Sequence, residues 1–349
     1  MLRWLIGALS CLVVCALARP AAAEAPAPIE IRVISGFAAP RQFRTVEIPF
    51  WTRQVPELTD GRVSVALRSP GNLGLAADHM LTVMRNGVVL IGTLEVSALV
   101  LTEPELGIAD LPLLSEDAVS QRRMVDLWQP RLAQMLQDRY GIELLAVFLR
   151  PPQVMACNRP FASLLDLAGR RIRIASVNQA DLVIALGASP VVLGLDRVME
   201  GFREGVLDCV VTGTPAASGI GLHRVVTHVS TVPLGWSMAF LTAHAAGWAA
   251  LPGEVRGALQ AGIRQHEAAI WRAAETQREE GEACLLGQPA CPGERGTLTL
   301  VVESAANRAA IRALFVSAVL PGWARRCGIA CAEGWNAVAG PVLGVFARW

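Results

Sequence analysis

The alternation of apolar and polar positions is clearest in the centre of the chain, over residues 166–215. There, short runs with apolar residues at every second position alternate with runs that have helical spacing. The pattern predicts strand, helix, strand, helix and strand in that order: 171–175, 178–186, 190–193, 196–205 and 207–212. Strands that alternate with short helices are typical of a parallel sheet. The centre of the chain therefore predicts an α/β fold.

The N-terminal half repeats this order, and longer elements follow it. Its pattern predicts strands and helices at 29–36, 43–58, 62–68, 76–85 and 88–92. Later elements are expected at 119–140 (a helix interrupted at Pro130), 142–148, 153–157, 238–242 and 252–284. Two similar halves with facing strand ends predict two lobes around a cleft, with a first crossing at Arg150-Pro151-Pro152. The last helix would span about 45 Å at 1.5 Å per residue, which is long enough to brace both lobes.

The first residues have the pattern of a secretory signal peptide. An apolar run over residues 5–17 follows a basic third residue, and three alanines ending at Ala23 suit a cleavage site. We predict a signal peptide over residues 1–23 and an exported mature chain. A lipoprotein signal ending at Cys11 or Cys15 is the less favoured alternative, because both cysteines lie inside the apolar run.

Composition excludes several function classes. The chain has 31 basic and 30 acidic residues. A near-neutral balance argues against a nucleic-acid-binding surface, which needs a clustered basic face. Every basic residue is arginine, and the absence of lysine excludes Schiff-base chemistry and a phosphate-binding P-loop.

The cysteines predict disulfides, as expected for an exported chain. Six follow the predicted signal peptide: Cys157, Cys209, Cys284, Cys291, Cys327 and Cys331. The last four form two close pairs, each of which can close a short loop, Cys284 with Cys291 and Cys327 with Cys331. A third bond between the first two cysteines requires that their strands be neighbours. Zinc binding by the last four is disfavoured, because their spacing is unlike that of zinc knuckles and no histidine is near.

Polar residues collect where the central strands end, and ligands in open parallel sheets bind beyond the carboxyl ends of the strands. They are Arg173, Ser176, Asn178 and Gln179 after one strand, and Thr212 and Thr214 after another. Arg173 is the obvious charge anchor, because a guanidinium group can form two parallel hydrogen bonds with a carboxylate. These clusters predict half of a small-molecule site.

Catalytic and metal-binding patterns are weak. His223 and His228 are five residues apart with no evident third ligand, so we expect no metal site. The sequence has no G-x-S-x-G motif and no cysteine with an evident histidine base. Glu204 and Asp208 are interpreted as structural. We expect no cofactor, and an exported α/β enzyme without a recognisable motif is the rival hypothesis.

Several segments, in order and spacing, resemble the solute-binding proteins of TRAP (tripartite ATP-independent periplasmic) transporters. They are GRVSVAL, GNLG, RNGVV, NRPFASLLDLAGRRIRI, ALGASPVVL and EGVLDCVVTGT. The resemblance covers residues 29–331 and implies a periplasmic receptor of the dicarboxylate-binding type. Such a receptor closes two lobes on a small organic acid and delivers it to a TRAP-type membrane permease. The implied lobes are 24–149 with 233–275, and 150–232 with 276–349.

The resemblance also implies roles for single residues. Arg173 stands where the family has the arginine that clamps the ligand carboxylate. The family often has a second arginine where this chain has Gln153, for which Arg150 or Arg41 are weak substitutes. This departure leaves open a neutral or hydrophobic monocarboxylate, such as a keto acid, as the ligand. Further expected contacts are Asn178, Thr212 or Thr214 in place of an amide, Trp236 as an apolar wall, and Phe37 and Thr93 at strand ends.

Overall fold

A computed structural model describes residues 28–36 and 40–349. The predicted signal peptide and the candidate Phe37 lie outside the described residues.

Within the described residues, nine strands form one sheet with the order β2-β1-β3-β8-β4-β7-β5-β6, and β9 pairs with β8. The strands are β1 (Ile29–Ile34), β2 (Val63–Arg68), β3 (Ile91–Glu95), β4 (Ile142–Cys157), β5 (Arg171–Ile174), β6 (Ser189–Val192), β7 (Cys209–Gly213), β8 (His228–His244) and β9 (Thr299–Val301). Only the pairs that join β3, β4, β7 and β8 are antiparallel, so the sheet is mixed and mostly parallel.

Helices cover the sheet and extend beyond it. They are α1 (residues 40–58), α2 (Met80–Arg85), α3 (Val96–Leu99), α4 (Ala118–Tyr140), α5 (Asn178–Ala185), α6 (Val198–Arg203), α7 (Thr214–Gly219), α8 (Ala245–Ala249), α9 (Gly253–Leu285), α10 (residues 305–327), α11 (Ile329–Val338) and α12 (Gly340–Leu343). Both α1 and α10 contain π-helical turns. A 3₁₀ segment, Pro104–Asp110, precedes α4.

Two long strands, β4 and β8, join the two halves of the sheet. Residues 142–149 of β4 pair with 238–244 of β8, beside β3, β1 and β2. Residues 153–157 pair with β7, beside β5 and β6. The strands predicted separately at 142–148 and 153–157 are one continuous strand, which runs through Arg150-Pro151-Pro152 with a register shift between Leu149 and Pro152. Proline cannot donate a ladder hydrogen bond, and the irregularity accommodates it.

The long helix α9 contacts both halves of the sheet assembly. A Cβ atom on Gly262 would lie 2.5 Å from Leu58 at the end of α1, and one on Gly281 would lie 2.5 Å from the Thr214 backbone. These nineteen residues of helix span about 28 Å. The two glycines thus allow close approach at widely separated points, and the predicted bracing helix is present.

Two local predictions were wrong. The helix α4 runs uninterrupted through Pro130, because buried Trp128 and Leu132 on either side of the proline anchor it in the core. The strand predicted at 88–92 begins only at Ile91, since Val88 is exposed after the turn. Strand β3 then runs to Glu95 and is buried throughout, because pairing with β8 continues to its last residue.

The C-terminal helices were not predicted. Trp323 and Trp335, which lie on α10 and α11, are fully buried and join the main hydrophobic core. That core also includes α4, β4 and β5, so the end of the chain packs against elements from both halves. Among the described helices, none combines the length and apolar character needed to cross a membrane.

The structure contains the three disulfides Cys157–Cys209, Cys284–Cys291 and Cys327–Cys331. The first forms because its two cysteines are direct register partners on the neighbouring antiparallel strands β4 and β7.

Candidate functional site

Arg173 is a buried cation held by backbone carbonyl groups. Its neighbours in β5, Ile172 and Ile174, face the core, and its own side chain is 6% exposed. Its Nε donates to the Leu193 carbonyl at 2.7 Å and its Nη1 to the Val211 carbonyl at 3.0 Å. Burial lowers the pKa of Arg173 to about 10, although the charge of Asp196 opposes the shift. A fixed guanidinium without an ion pair among the described residues is suited to an anionic partner.

Gln153 and Gln179 form a neutral pair close to the end of β5. The Gln179 side-chain amide donates to Gln153 Oε1, and its own oxygen accepts from the Ala175 N–H at 2.8 Å. Both side chains are buried. The position where the resemblance expects a second arginine therefore holds an amide that is fixed from the start of α5.

Asn178 uses its amide to join separate parts of the chain. Its Nδ2 donates to the Gly107 carbonyl at 3.1 Å, and its Oδ1 accepts from Arg326 at 3.4 Å. A Cβ atom on Gly107 would lie 2.6 Å from Asn178 Nδ2, so the contact requires glycine at this point. Asn178 thus links the 3₁₀ segment before α4 to α5 and α10.

The remaining candidates are buried and differ in their partners. Thr214 donates to the Arg278 carbonyl at 2.9 Å and therefore faces α9. Trp236 is 2% exposed, opposes Pro152 in the sheet and donates to the Ser115 carbonyl at 3.3 Å. Thr212 is buried in β7. Ser176, which follows β5, has a buried hydroxyl group without a partner in the described part of the chain.

A second group of polar residues lies in the N-terminal half of the sheet. Ser35 hydrogen-bonds to Thr93 at 2.7 Å and donates to Glu47. Arg150 donates to Glu95 Oε1 at 2.7 Å, and its Nη1 is 3.7 Å from Glu47 Oε1. The candidate Thr93 therefore belongs to this network.

Gln42 completes the second group, and the charge of Glu95 in this group acts on Asp110. Arg150 donates to Gln42, which in turn donates to the Leu149 carbonyl at 3.2 Å. We call Ser35, Gln42, Glu47, Thr93, Glu95, Asp110 and Arg150 the acidic network. All seven residues are buried.

Burial raises the pKa of two carboxyl groups in the acidic network. For Glu47 the main cause is loss of solvent, which the charge of Arg150 opposes. For Asp110, burial and the like charge of Glu95 together hold the pKa well above its usual range. The sequence analysis did not predict that Glu47, Glu95 and Asp110 are buried together in this network. The available signal was an acidic residue inside or directly after an apolar run.

The acidic network and Arg173 lie along the same central strands. Arg150 is three residues before Gln153 on β4, and Val211, whose carbonyl accepts from Arg173, opposes Met155 of the same strand. Five residues of strand span about 17 Å at 3.3 Å per residue. The two groups therefore lie about five residues apart along β4.

Two surface hollows lie elsewhere on the protein. Their volumes are about 310 and 360 Å³, and both are lined by Glu143 and Gln260, on the side where α4 and α9 meet β4. Neither is lined by a predicted site residue. We therefore place the candidate site at the residues described above, on the basis of their chemistry, rather than at these hollows.

The histidines and acidic residues show no metal-binding arrangement. Over residues 28–36 and 40–349, no group of three His, Cys, Asp or Glu side chains converges to hold a metal ion. His223 contacts Glu294 at 3.1 Å on the surface, and His228 contacts the neighbouring Thr227 at 2.9 Å.

Comparison with known proteins agrees with this arrangement. A family model described as bacterial extracellular solute-binding protein, family 7 (DctP), matches residues 34–289. A solute-binding protein of Roseobacter denitrificans is 25% identical over 208 residues, which are 57% of this chain and 61% of the relative. The match therefore spans about three fifths of that curated relative.

Solved structures share the fold. A Bordetella pertussis receptor that binds pyroglutamic acid is 24% identical with a TM-score of 0.75, covering 88% of this chain and 99% of its own. A Desulfovibrio salexigens TRAP periplasmic solute-binding protein with bound orotic acid is 18% identical with a TM-score of 0.75, covering 87% and 95%. A Pseudomonas aeruginosa relative with bound L-malate is 18% identical with a TM-score of 0.71, covering 82% and 97%.

The fold class expected from the sequence, an α/β periplasmic binding protein fold with a mixed and mostly parallel sheet, is confirmed. The expected resemblance to TRAP solute-binding proteins is confirmed as well. Since the family model matches residues 34–289, more than half of the sequence, the chain belongs to the bacterial extracellular solute-binding protein family 7.

Proposed function

We propose that this protein is an extracytoplasmic receptor that binds a small organic acid between two lobes and delivers it to a TRAP-type permease. The observation that carries the proposal is Arg173, a buried guanidinium at a strand end that has no carboxylate partner among the described residues. Relatives with bound pyroglutamic acid, orotic acid and L-malate support an organic acid as the ligand.

The proposed lobes are residues 24–149 with 233–275, and residues 150–232 with 276–349. The long strands β4 and β8 would carry the hinge, and the register shift between Leu149 and Pro152 supports this assignment because the strand pairing is irregular there. Hinge closure requires that the ligand bind the closed form more tightly than the open form. Arg173 would supply that difference on the second lobe.

The proposed ligand contacts surround Arg173. Gln153 would contact the ligand in place of a second arginine, and Trp236 would form an apolar wall. The other proposed contacts are Asn178, Thr212, Thr214, Thr93 and Phe37. The Thr214 hydroxyl group already donates to Arg278, so its contribution would come from the backbone at the start of α7.

The receptor would act in the periplasm after removal of residues 1–23, without catalysis and without a cofactor. A neutral or hydrophobic monocarboxylate remains the second candidate ligand, and Gln153 supports it because a neutral amide does not neutralise a second carboxylate. The family match argues against the rival hypothesis of an exported enzyme.

Mass spectrometry of small molecules released by denaturing the purified protein tests the proposal. We expect an organic acid, which should raise the melting temperature when added back and reduce the radius of gyration in solution scattering. A hundredfold excess over the dissociation constant stabilises the protein by about 2.7 kcal/mol. An unchanged radius at saturation would contradict hinge closure, and turnover of the bound molecule would favour the enzyme.

A further inference from the structure

The acidic network contains more carboxyl groups than cations. Glu47, Glu95 and Asp110 are 0%, 3% and 7% exposed, and Arg150 is the only cation within ion-pair distance of any of them in the described residues. Arg150 bonds closely to Glu95 and more distantly to Glu47. Asp110 has no side-chain hydrogen bond or ion pair to the described residues. One guanidinium therefore faces three carboxyl groups.

The unpaired atoms of the network are mainly acceptors. Glu47 Oε1 and Glu95 Oε2 are buried without a hydrogen-bond partner among the described residues, as is one donor, Arg150 Nε. An ionised carboxylate only accepts hydrogen bonds, and an unsatisfied buried polar group costs about 1–3 kcal/mol. A ligand group that donates hydrogen bonds would offset this cost, whereas a second carboxylate on the ligand would add to it.

Asp110 extends the network toward the central strands. Its carbonyl oxygen lies 3.9 Å from the place of a Cβ atom on Gly235, and Gly235 is the register partner of Gln153. The charge of Glu95 contributes to the raised pKa of Asp110. Where the resemblance expects a second arginine, this protein therefore has a neutral amide, and the backbone of Asp110 lies near the register partner of that amide.

We infer, on the basis of the proposed receptor function, that the acidic network is a subsite for an N–H donor on the ligand, with Asp110 and Glu95 as its acceptors. The ligand is then an organic acid that carries one carboxylate for Arg173 and a nitrogen that donates N–H, as an ammonium or an amide group. A ligand with two carboxylates and no N–H donor would leave the buried acceptor atoms of Glu47 and Glu95 unsatisfied.

Matched acids separate these chemistries. L-proline carries an ammonium nitrogen, pyroglutamate an amide N–H, and tetrahydrofuran-2-carboxylate has the same ring size with oxygen in place of nitrogen. The pairs L-alanine with L-lactate and L-aspartate with L-malate make the same comparison on open chains. Thermal shift across these acids, followed by titration calorimetry on those that bind, gives the ranking. Within each set of matched acids that binds, we expect the acid with an N–H group to bind at least tenfold more tightly than its oxygen analogue.

Variants locate the subsite. Asp110→Asn should weaken the N–H acids at least tenfold and change the affinity for their oxygen analogues less than twofold. The matched control is Asp126→Asn, because Asp126 is exposed and pairs with Arg122 on the surface of α4; it should change neither. Asp110→Asn removes a buried carboxyl group without a partner, so it should not lower the melting temperature.

The outcomes separate the inference from the proposed function. If acids bind through Arg173 but the oxygen analogues or L-malate bind as tightly as the N–H acids, only the inference is overturned. If Ca²⁺ or Mg²⁺ alone raises the melting temperature and Asp110→Asn removes the effect, the subsite holds a metal and the inference is wrong. If no carboxylic acid binds, both the receptor function and the inference fail.

Discussion

Replacement of Arg173 by methionine should weaken ligand binding strongly and change stability less. Methionine has a similar length, fills the same space and carries no charge. The substitution therefore removes the proposed carboxylate anchor without opening a large cavity. Its effect on folding depends on two opposing contributions that the structure defines.

The first contribution favours the variant. Burial lowers the pKa of Arg173 to about 10, and at about 1.4 kcal/mol per pKa unit the buried charge costs on the order of 3 kcal/mol in the folded state. The second contribution opposes it, because hydrogen bonds to the Leu193 and Val211 carbonyls are lost. Each bond from a charged donor contributes about 1.5–3 kcal/mol. Two such bonds offset the first contribution, and we expect a net loss of unfolding free energy of about 0–3 kcal/mol.

The loss of binding free energy should exceed the change in unfolding free energy. Truncation of one partner in a buried charge pair costs about 2–5 kcal/mol, which is a loss of affinity of about 30-fold to several thousand-fold. Arg173→Lys should recover only part of the affinity, because lysine keeps the charge but lacks the planar group that bonds in two places. Titration calorimetry with the released ligand measures the affinity, and urea unfolding measures stability.

Arg171 provides the matched control on the same strand. Its side chain is 46% exposed and donates to both oxygens of Asp208, at 2.9 and 3.0 Å. Arg171→Met should leave affinity unchanged and lower the unfolding free energy only slightly, since the ion pair with Asp208 is partly exposed and screened by solvent. If Arg173→Met binds the ligand as tightly as the wild type, Arg173 is not the carboxylate anchor. The same conclusion follows if the variant unfolds while affinity per folded molecule is retained.

Three further changes test the packing around the site. Burial lowers the pKa of His266 to about 3, so below about pH 6.5 the unfolded chain gains a proton that the folded chain does not. The free energy of unfolding should therefore fall as the pH decreases toward 3. In His266→Phe, the urea midpoint should depend less steeply on pH. Gly107→Ala would place Cβ 2.6 Å from Asn178 Nδ2 and should cost about 1–3 kcal/mol; an unchanged melting temperature would contradict the packing. Replacing Cys157 and Cys209 with alanine opens a loop with a sequence separation of 52 and should cost about 4 kcal/mol, measured by urea unfolding; a loss below about 1 kcal/mol would argue against that bond.

The sequence by itself determined the elements that short-range patterns encode. The order of strands and helices over residues 166–215 follows from the spacing of apolar residues, and the structure reproduces it to within a few residues. The same pattern places Arg173 near the end of a strand between two core isoleucines. The short-loop disulfides also follow from local spacing, because their cysteines are close in the chain.

Only the tertiary structure decided which distant residues meet. The continuity of β4 through Pro151-Pro152 depends on its pairing with β8, and local pattern alone treats two prolines as a break. The third disulfide exists because β4 and β7 are neighbours in register. The acidic network joins Glu47, Glu95 and Arg150 across 55 and more positions of sequence. Apolar periodicity reports which face of an element is buried, whereas such contacts depend on how the chain returns to the same place, and no local pattern encodes that.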